Sequence, residues 1–269
     1  TGRGVTSTLG MGFSAGFTRV PLAFAEGGRR FFEIRNELLH LSGQVALVEQ
    51  QGGFLALEVR GEQVREVPQV GGGVSTRERR YASAALLVWR DDMDRAAFPT
   101  RGSTLFLRSE WADRSAGSGA DFRQHLADVR LAFPLAPSVA LHLEAFGGGA
   151  SGPDLPLYKN FFLGGSVTSG VLAYSHPHLH GLDVQHEWGR VAQAVRAALQ
   201  WEVAPRWFVT ATANAGDTRE NWRVELDEWV AGWGLSVGHL TVLGPARVTL
   251  AGQDTFGDVR LSVELGRVF

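Results

Sequence analysis

Cysteine is absent from the 269 residues. That excludes disulfide scaffolds, thiolate zinc sites and thiol catalysis, and it suits a chain of the cell envelope. Lysine is nearly absent: Lys159 is the only one among 26 basic residues. Charge of one sign is missing too. The formal net charge of −2 gives no bulk field that would draw nucleic acid or a strongly acidic partner. Long apolar runs are missing, the longest strong one being Ala84-Ala85-Leu86-Leu87-Val88-Trp89, far short of the ~18 residues of a membrane helix. The chain opens at Thr1 without the pattern of a signal peptide, which reads as a mature chain or an excised domain.

What is abundant is glycine (34), phenylalanine (16) and tryptophan (8), arranged with a period of two. The chain ends in the clearest instance: Val259, Leu261, Val263, Leu265, Arg267 and Phe269 fall on one face, and Arg260, Ser262, Glu264, Gly266 and Val268 on the other. One apolar face at this period is a half-buried strand. Similar segments recur at 80–91, 103–113, 121–133, 138–148, 191–203, 207–214, 229–237 and 246–250. Upstream, 31–40, 42–50 and 54–61 read as three strands and 4–26 as two weaker, glycine-rich ones. The connections alternate in length. Those at 98–102, 134–137, 204–205 and 244–245 are tight, and those at 149–189 and 214–227 are long. Short turns at one rim and long loops at the other characterise an antiparallel transmembrane β-barrel. With ~9–11 residues per spanning strand, about 16 strands (a range of about 14–16) would use ~160 residues. The expectation is one barrel domain over residues 1–269. A soluble β-sandwich also alternates, but the strands look long, the tryptophans lie near strand ends as a girdle would, and the loop lengths are asymmetric.

Three motifs carry a resemblance. Residues 91–102, Asp-Asp-Met-Asp-Arg-Ala-Ala-Phe-Pro-Thr-Arg-Gly, resemble the D-x-x-x-x-x-FPT-x-G central turn of the outer-membrane assembly and secretion superfamily. That superfamily includes BamA, TamA, the two-partner-secretion transporters and the barrels of patatin-type autotransporters. Residues 156–165, Pro-Leu-Tyr-Lys-Asn-Phe-Phe-Leu-Gly-Gly, resemble the start of its long sixth extracellular loop, and Leu243-Gly244-Pro245 with the final strand resembles its closing hairpin. The motifs fall in the family's order over residues 91–269, and the patatin-linked branch is the most similar.

The resemblance implies a 16-stranded barrel of the bacterial outer membrane, with periplasmic termini and the long loop folded into the lumen. Asp94, Phe98, Pro99 and Gly102 would form the central turn. Leu261, Val263, Leu265 and Phe269 would form the signal read by the barrel-insertion machinery, as an unpaired edge strand can be captured by strand addition. The loop motif would be Leu163, Gly164, Gly165, Ser169 and Gly170. The family's loop tip is Val-Arg-Gly-Phe/Tyr, its Arg paired with inward acids. Here 166–171 read Ser-Val-Thr-Ser-Gly-Val, the family's inward D-x-G aligns with Asn214-Ala215-Gly216, and Gln200 aligns with an inward acid of the preceding strand. Cation and anions are lost together, so a neutral latch from Ser169 and Gly170 to Gln200 and Asn214 is expected, since losing one partner alone leaves a buried charge uncompensated. The implied role is to anchor or translocate a passenger, or to insert proteins, without catalysis or cofactor. The implied partners are outer-membrane lipids, the insertion machinery and a passenger or periplasmic domain absent from this chain. A homodimer is compatible with the sequence and nucleic acid is not expected. A passive porin and a soluble carbohydrate-binding sandwich are the alternatives.

Candidate chemistry is thin. Gly12-Phe13-Ser14-Ala15-Gly16 and Gly234-Leu235-Ser236-Val237-Gly238 both match G-x-S-x-G. The hydrolase elbow needs strand–turn–helix, and no helical period follows either. His176, His178 and His180 alternate on an extended segment and could converge on a metal, but a solvated or lumen-plugging loop held extended by Pro177 is the preferred reading, and no metal is expected. Asp91, Asp92, Asp94 and Arg95 read as a polar periplasmic rim. The arginines read as lumen and headgroup contacts, compatible with a basic rim facing lipopolysaccharide phosphates.

Overall fold

A computed structural model describes residues 7–26, 29–49, 52–70, 75–165, 175–253 and 259–266. Fourteen strands occur among them: β1 (Ser7–Glu26), β2 (Arg29–Glu49), β3 (Gly53–Val70), β4 (Arg77–Asp91), β5 (Gly102–Ala112), β6 (Phe122–Ala136), β7 (Val139–Ser151), β8 (Phe161–Leu163), β9 (Glu187–Gly189), β10 (Val191–Ala204), β11 (Trp207–Arg219), β12 (Val230–Thr241), β13 (Gly244–Gln253) and β14 (Val259–Leu265). Twelve of them form one antiparallel sheet in chain order, β8 and β9 pairing separately inside the 152–190 connection. The described sheet therefore has twelve strands where about 16 were expected. Part of the difference lies at the start of the chain, where Ser7–Glu26 is one strand and Arg29–Glu49 another, each in place of two expected. β1 and β14 are the sheet's two edges, and no pairing joins them among the described residues.

The long strands have a physical cause. On β1 the outward residues Leu9, Met11, Phe13 and Phe17 are exposed, as are Leu39, Leu41, Val45 and Leu47 on β2. Each run covers nine residues, the length that crosses hydrocarbon. Beyond it the faces exchange character. Arg19, Glu37 and Arg65 point outward, while Val20, Leu22, Phe24, Ile34, Leu38 and Val64 are buried on the inner side. Apolar-out, polar-in is the rule inside a bilayer, and its inverse holds in water. β1–β3 thus cross the membrane and continue past it as an ordinary sheet around a small apolar core.

The remaining strands keep the lipid-facing arrangement, with Leu143, Val195, Leu199, Leu235, Val237, Val248, Leu261 and Val263 exposed outward. Trp201 and Trp207 stand outward at the tight-turn ends of β10 and β11, and Trp111 at the loop end of β5. Aromatics at both limits of the apolar band are the girdles of a membrane barrel. The turns at 50–52, 137–138, 205–206 and 242–243 share one rim with the 92–101 turn. The opposite rim carries the connections at 71–76, 113–121, 152–190 and 220–229.

Candidate functional site

The inner face is polar and is organised around the long connection. Its outgoing arm makes a 3₁₀ turn at Leu157–Lys159, which buries Tyr158 and Lys159. Lys159 Nζ donates to both carboxylate oxygens of Glu110 on β5, at 2.8 and 2.9 Å, and lies 3.6 Å from Glu62 on β3. Tyr158 Oη donates to Glu62 at 2.5 Å. Burial, then the charge of Glu62, holds the Tyr158 phenol well above its ordinary pKa, so it remains a donor. Gln124 on β6 donates to the Lys159 carbonyl at 2.6 Å. Glu110 also accepts from Ser83 (2.8 Å) and Arg108 (2.5 Å), and Arg60 reaches Glu58 and Glu62 at 2.7 and 3.4 Å. Four adjacent strands thus hold one loop lysine in a buried network whose charges are all paired. A cavity of about 470 Å³ opens beside it, lined in part by Ser42, Glu58, Arg60 and Arg108.

Past the latch, Phe161 and Phe162 are fully buried. Phe161 lies over Gly148, where a Cβ would come within 2.3 Å of its ring, and Phe162 meets Phe24 of β1 edge-on at 5.8 Å. In the expected loop motif, Leu163 is buried and Gly164 adopts φ 152°. A Cβ on Gly164 would strike the Asp183 carbonyl at 2.1 Å. Gly164 and Gly165 therefore let the two arms of the loop meet, and Gly165 N donates to Asp183 O at 2.9 Å. Ser169 and Gly170 lie outside the described residues.

The two wall residues expected to hold the latch meet different segments. Asn214 pairs in two points with the loop backbone, accepting from His180 N (2.8 Å) and donating to His180 O (3.3 Å). Gly232 makes room for that contact, since a Cβ there would sit 2.0 Å from the His180 carbonyl. Gly216 faces β10, with the Gln193 carbonyl 2.5 Å from where its Cβ would be. Gln200 has no hydrogen bond to the loop among the described residues. It donates to the carbonyls of Phe98 (3.3 Å) and Pro99 (3.1 Å), because the central turn folds inward from the opposite rim.

That turn is a plug rather than a simple polar rim. Asp94 accepts from Thr100 N (2.8 Å), Thr100 Oγ1 (2.5 Å) and Arg101 N (3.2 Å). Burial alone would raise its carboxyl, but these hydrogen bonds outweigh burial and hold it below the ordinary range. Gly102, at φ 117°, passes where a Cβ would lie 2.5 Å from the Asp92 carbonyl. The frame carries Phe98, at φ 52°, into the lumen. There it is buried, stacks on Phe208 of β11 at 4.3 Å and 5°, and lies under the Arg247 guanidinium at 5.1 Å. His142 holds the Pro99 carbonyl at 2.9 Å. Between plug and loop, the wall carries ion pairs of Arg196 and Arg130 with Glu144 and of Arg130 with Asp128.

The three histidines do not assemble as a metal site. His176 Nε2 bonds the Gly165 carbonyl at 2.7 Å, and the His178 and His180 rings meet edge-on at 4.8 Å. No cluster of three or more metal-ligating side chains forms among the described residues. Burial brings His176 down to about 4. Burial, then Arg196 and Arg247, brings His180 to about 4. Ser14 and Ser236 both lie in mid-strand, on β1 and β12, which is not the strand–turn–helix of a hydrolase elbow.

Sequence reasoning missed Glu62 and Glu110. The available signals were the lone lysine and the Arg108–Glu110 pair at i, i+2 on the inward face of a strand. It also missed Phe98 as a plug, which a large aromatic residue within a turn between two strands could have flagged. Of the expected insertion signal, Leu261, Val263 and Leu265 are exposed on the outward face of β14, and Phe269 lies outside the described residues.

The sequence profile of the OMP85 superfamily matches residues 54–269. No curated protein sequence matches the chain. Among solved structures, BamA from Haemophilus ducreyi lacking POTRA domains 1–3 is similar at a TM-score of 0.72 and 10% identity, over 94% of this chain and 57% of that one. CdiB from Acinetobacter baumannii is similar at 0.61 and 11%, over 96% and 47%. CdiB from Escherichia coli is similar at 0.54 and 14%, over 95% and 48%. The chain spans about half the length of these structures.

Proposed function

Because the chain belongs to the OMP85 superfamily, and so is an outer-membrane β-barrel, we propose that it passes or inserts polypeptide through a lumen closed at rest from both ends. Loop 152–190 closes the outer end and turn 92–101 the periplasmic end. The barrel itself performs no catalysis. It works with a passenger or periplasmic domain outside this chain, and β14 is the segment that the insertion machinery reads. The seam falls between β1 and β14, both of which the loop's return arm touches. Gln185 accepts from Ala23 N (2.6 Å) and donates to Pro21 O (3.1 Å) on β1, and Asp183 pairs with Arg260 of β14 at 3.2 Å.

The observation that carries this reading is the Lys159 latch. A passive pore has no need of a buried, fully paired lysine tying its longest loop to four strands, and breaking one partner of such a pair costs about 3–5 kcal/mol. Planar-bilayer recording of the refolded chain tests it. Wild type is expected to be mostly closed, and Lys159→Met to open more often. Steady conductance of wild type, unchanged in the variant, would select the passive porin instead.

A further inference from the structure

The outer surface where β1–β4 leave the apolar belt carries an arrangement that neither the latch nor the plug uses. Cross-strand register places Arg19, Glu37, Arg65 and Glu78 in one row. The row nearer the belt is Phe17, Leu39, Gln63 and Arg80, and the row beyond contains Arg35 between Pro21 and Val67. Arg19, Arg35 and Arg65 converge on the single carboxylate of Glu37, at 3.6, 3.3 and 3.7 Å. Glu78 accepts from Gln63 at 2.5 Å. In these three rows four guanidiniums face two carboxylates, and Glu33 lies one outward pair further from the belt. Each guanidinium has five donors in a planar fork, so one shared carboxylate leaves most of them unmet.

An exposed cross-strand ion pair contributes only about 0.2–1 kcal/mol, so stability alone gives little reason to crowd three arginines about one acid. Height is the informative variable. The patch begins within one residue pair of Phe17 and Leu39, which end the exposed apolar runs of β1 and β2 described above, and Arg19 lies over the Phe17 ring at 5.5 Å. This is the level of lipid headgroups on the rim that bears the long connections, which in an outer-membrane barrel is the external one. We propose that Arg19, Arg35 and Arg65, with Arg80 beside them, form a binding site for the phosphates of an outer-leaflet glycolipid. Guanidinium forks would grip the phosphate in two-point fashion, displacing part of the hold on Glu37, while the acyl chains lie along Phe17, Leu39 and their neighbours.

The test uses the full chain refolded in detergent, titrated with bisphosphorylated lipid A, its monophosphorylated form and phosphatidylglycerol. Wild type is expected to bind bisphosphorylated lipid A at least tenfold more tightly than phosphatidylglycerol. The R35Q/R65Q double variant should fall to the phosphatidylglycerol level, and R223Q, on the same rim but outside the patch, should match wild type. Glu37→Gln removes the competing carboxylate and should tighten binding severalfold, a gain that a misfolded chain cannot produce. Equal binding of the two lipid classes by wild type would overturn the glycolipid assignment. An unchanged R35Q/R65Q variant with a normal heat-dependent gel shift, or a Glu37→Gln variant that binds no more tightly, would overturn the site.

Discussion

Lys159 occupies a position where charge and length both matter. It reaches from the loop past Tyr158 to two carboxylates on different strands, and Glu110 already holds Arg108 and Ser83. The sequence marked the residue by its solitude but not its partners, because Glu62 and Glu110 become neighbours only through strand register. The histidines are the converse case. Their spacing suggested a metal, whereas burial against the loop's own backbone is what governs them. Free imidazole titrates near 6.5, and burial in the docked loop pushes His176 and His180 down to about 4. An undocked loop therefore takes up protons that the docked loop refuses, and docking stability is complete above the free value. It falls as pH drops from about 6.5 towards about 4, by roughly tenfold or more per histidine at pH 5. The groups facing His180 are Arg196, Arg247 and His178, which reinforce this sign, and Glu144, which opposes it. Channel opening should rise on acidifying the outer chamber from pH 7 to pH 5. The rise should shrink in His180→Gln, and an opening rate that is flat over this range would refute the coupling.

At the scale of elements, alternation located every strand of the main sheet but divided the long ones wrongly. On β1 the apolar parity is odd through Phe17 and even from Val20. On β2 it is even through Leu38 and odd from Leu39. A period-of-two reading takes such a phase change as a strand break, whereas a continuous strand leaving hydrocarbon for water must make it. The 92–101 turn was legible as a turn and opaque as a plug, since nothing local says that Phe98 will find Phe208 and Arg247 from strands more than a hundred residues on. Its frame is the Asp94 carboxylate. Asp94→Ala removes three hydrogen bonds, each worth about 1.5 kcal/mol or more to a charged acceptor. It should release Phe98 while leaving the sheet intact. Trypsin cleavage after Arg95 or Arg101 should accelerate at least tenfold with the gel shift unchanged, and unaltered cleavage would show that the turn is held by Phe98 alone.

At the scale of the molecule, the two closures lie in series along one lumen. The loop is tied through Lys159 to β3–β6 and through His180 to β11, and the turn docks on β7, β10, β11 and β13 through His142, Gln200, Phe208 and Arg247. Among the described residues no hydrogen bond or ion pair joins the two, and Arg247, which lies over Phe98 and faces His180, is a neighbour they share; their energies should be nearly independent, while their effects on passage cannot be. A path blocked at two points opens only when both blocks are out. Lys159→Met alone leaves the plug in place and should give brief, small openings. Phe98→Ala alone, which deletes a buried aromatic at about 3–5 kcal/mol, leaves the loop docked and should give similarly little. Combined, they should raise mean conductance well beyond the sum of the single changes, while thermal stability falls by no more than that sum. Additive conductance would mean that the lumen has one gate, and that either the loop or the turn is only a strut.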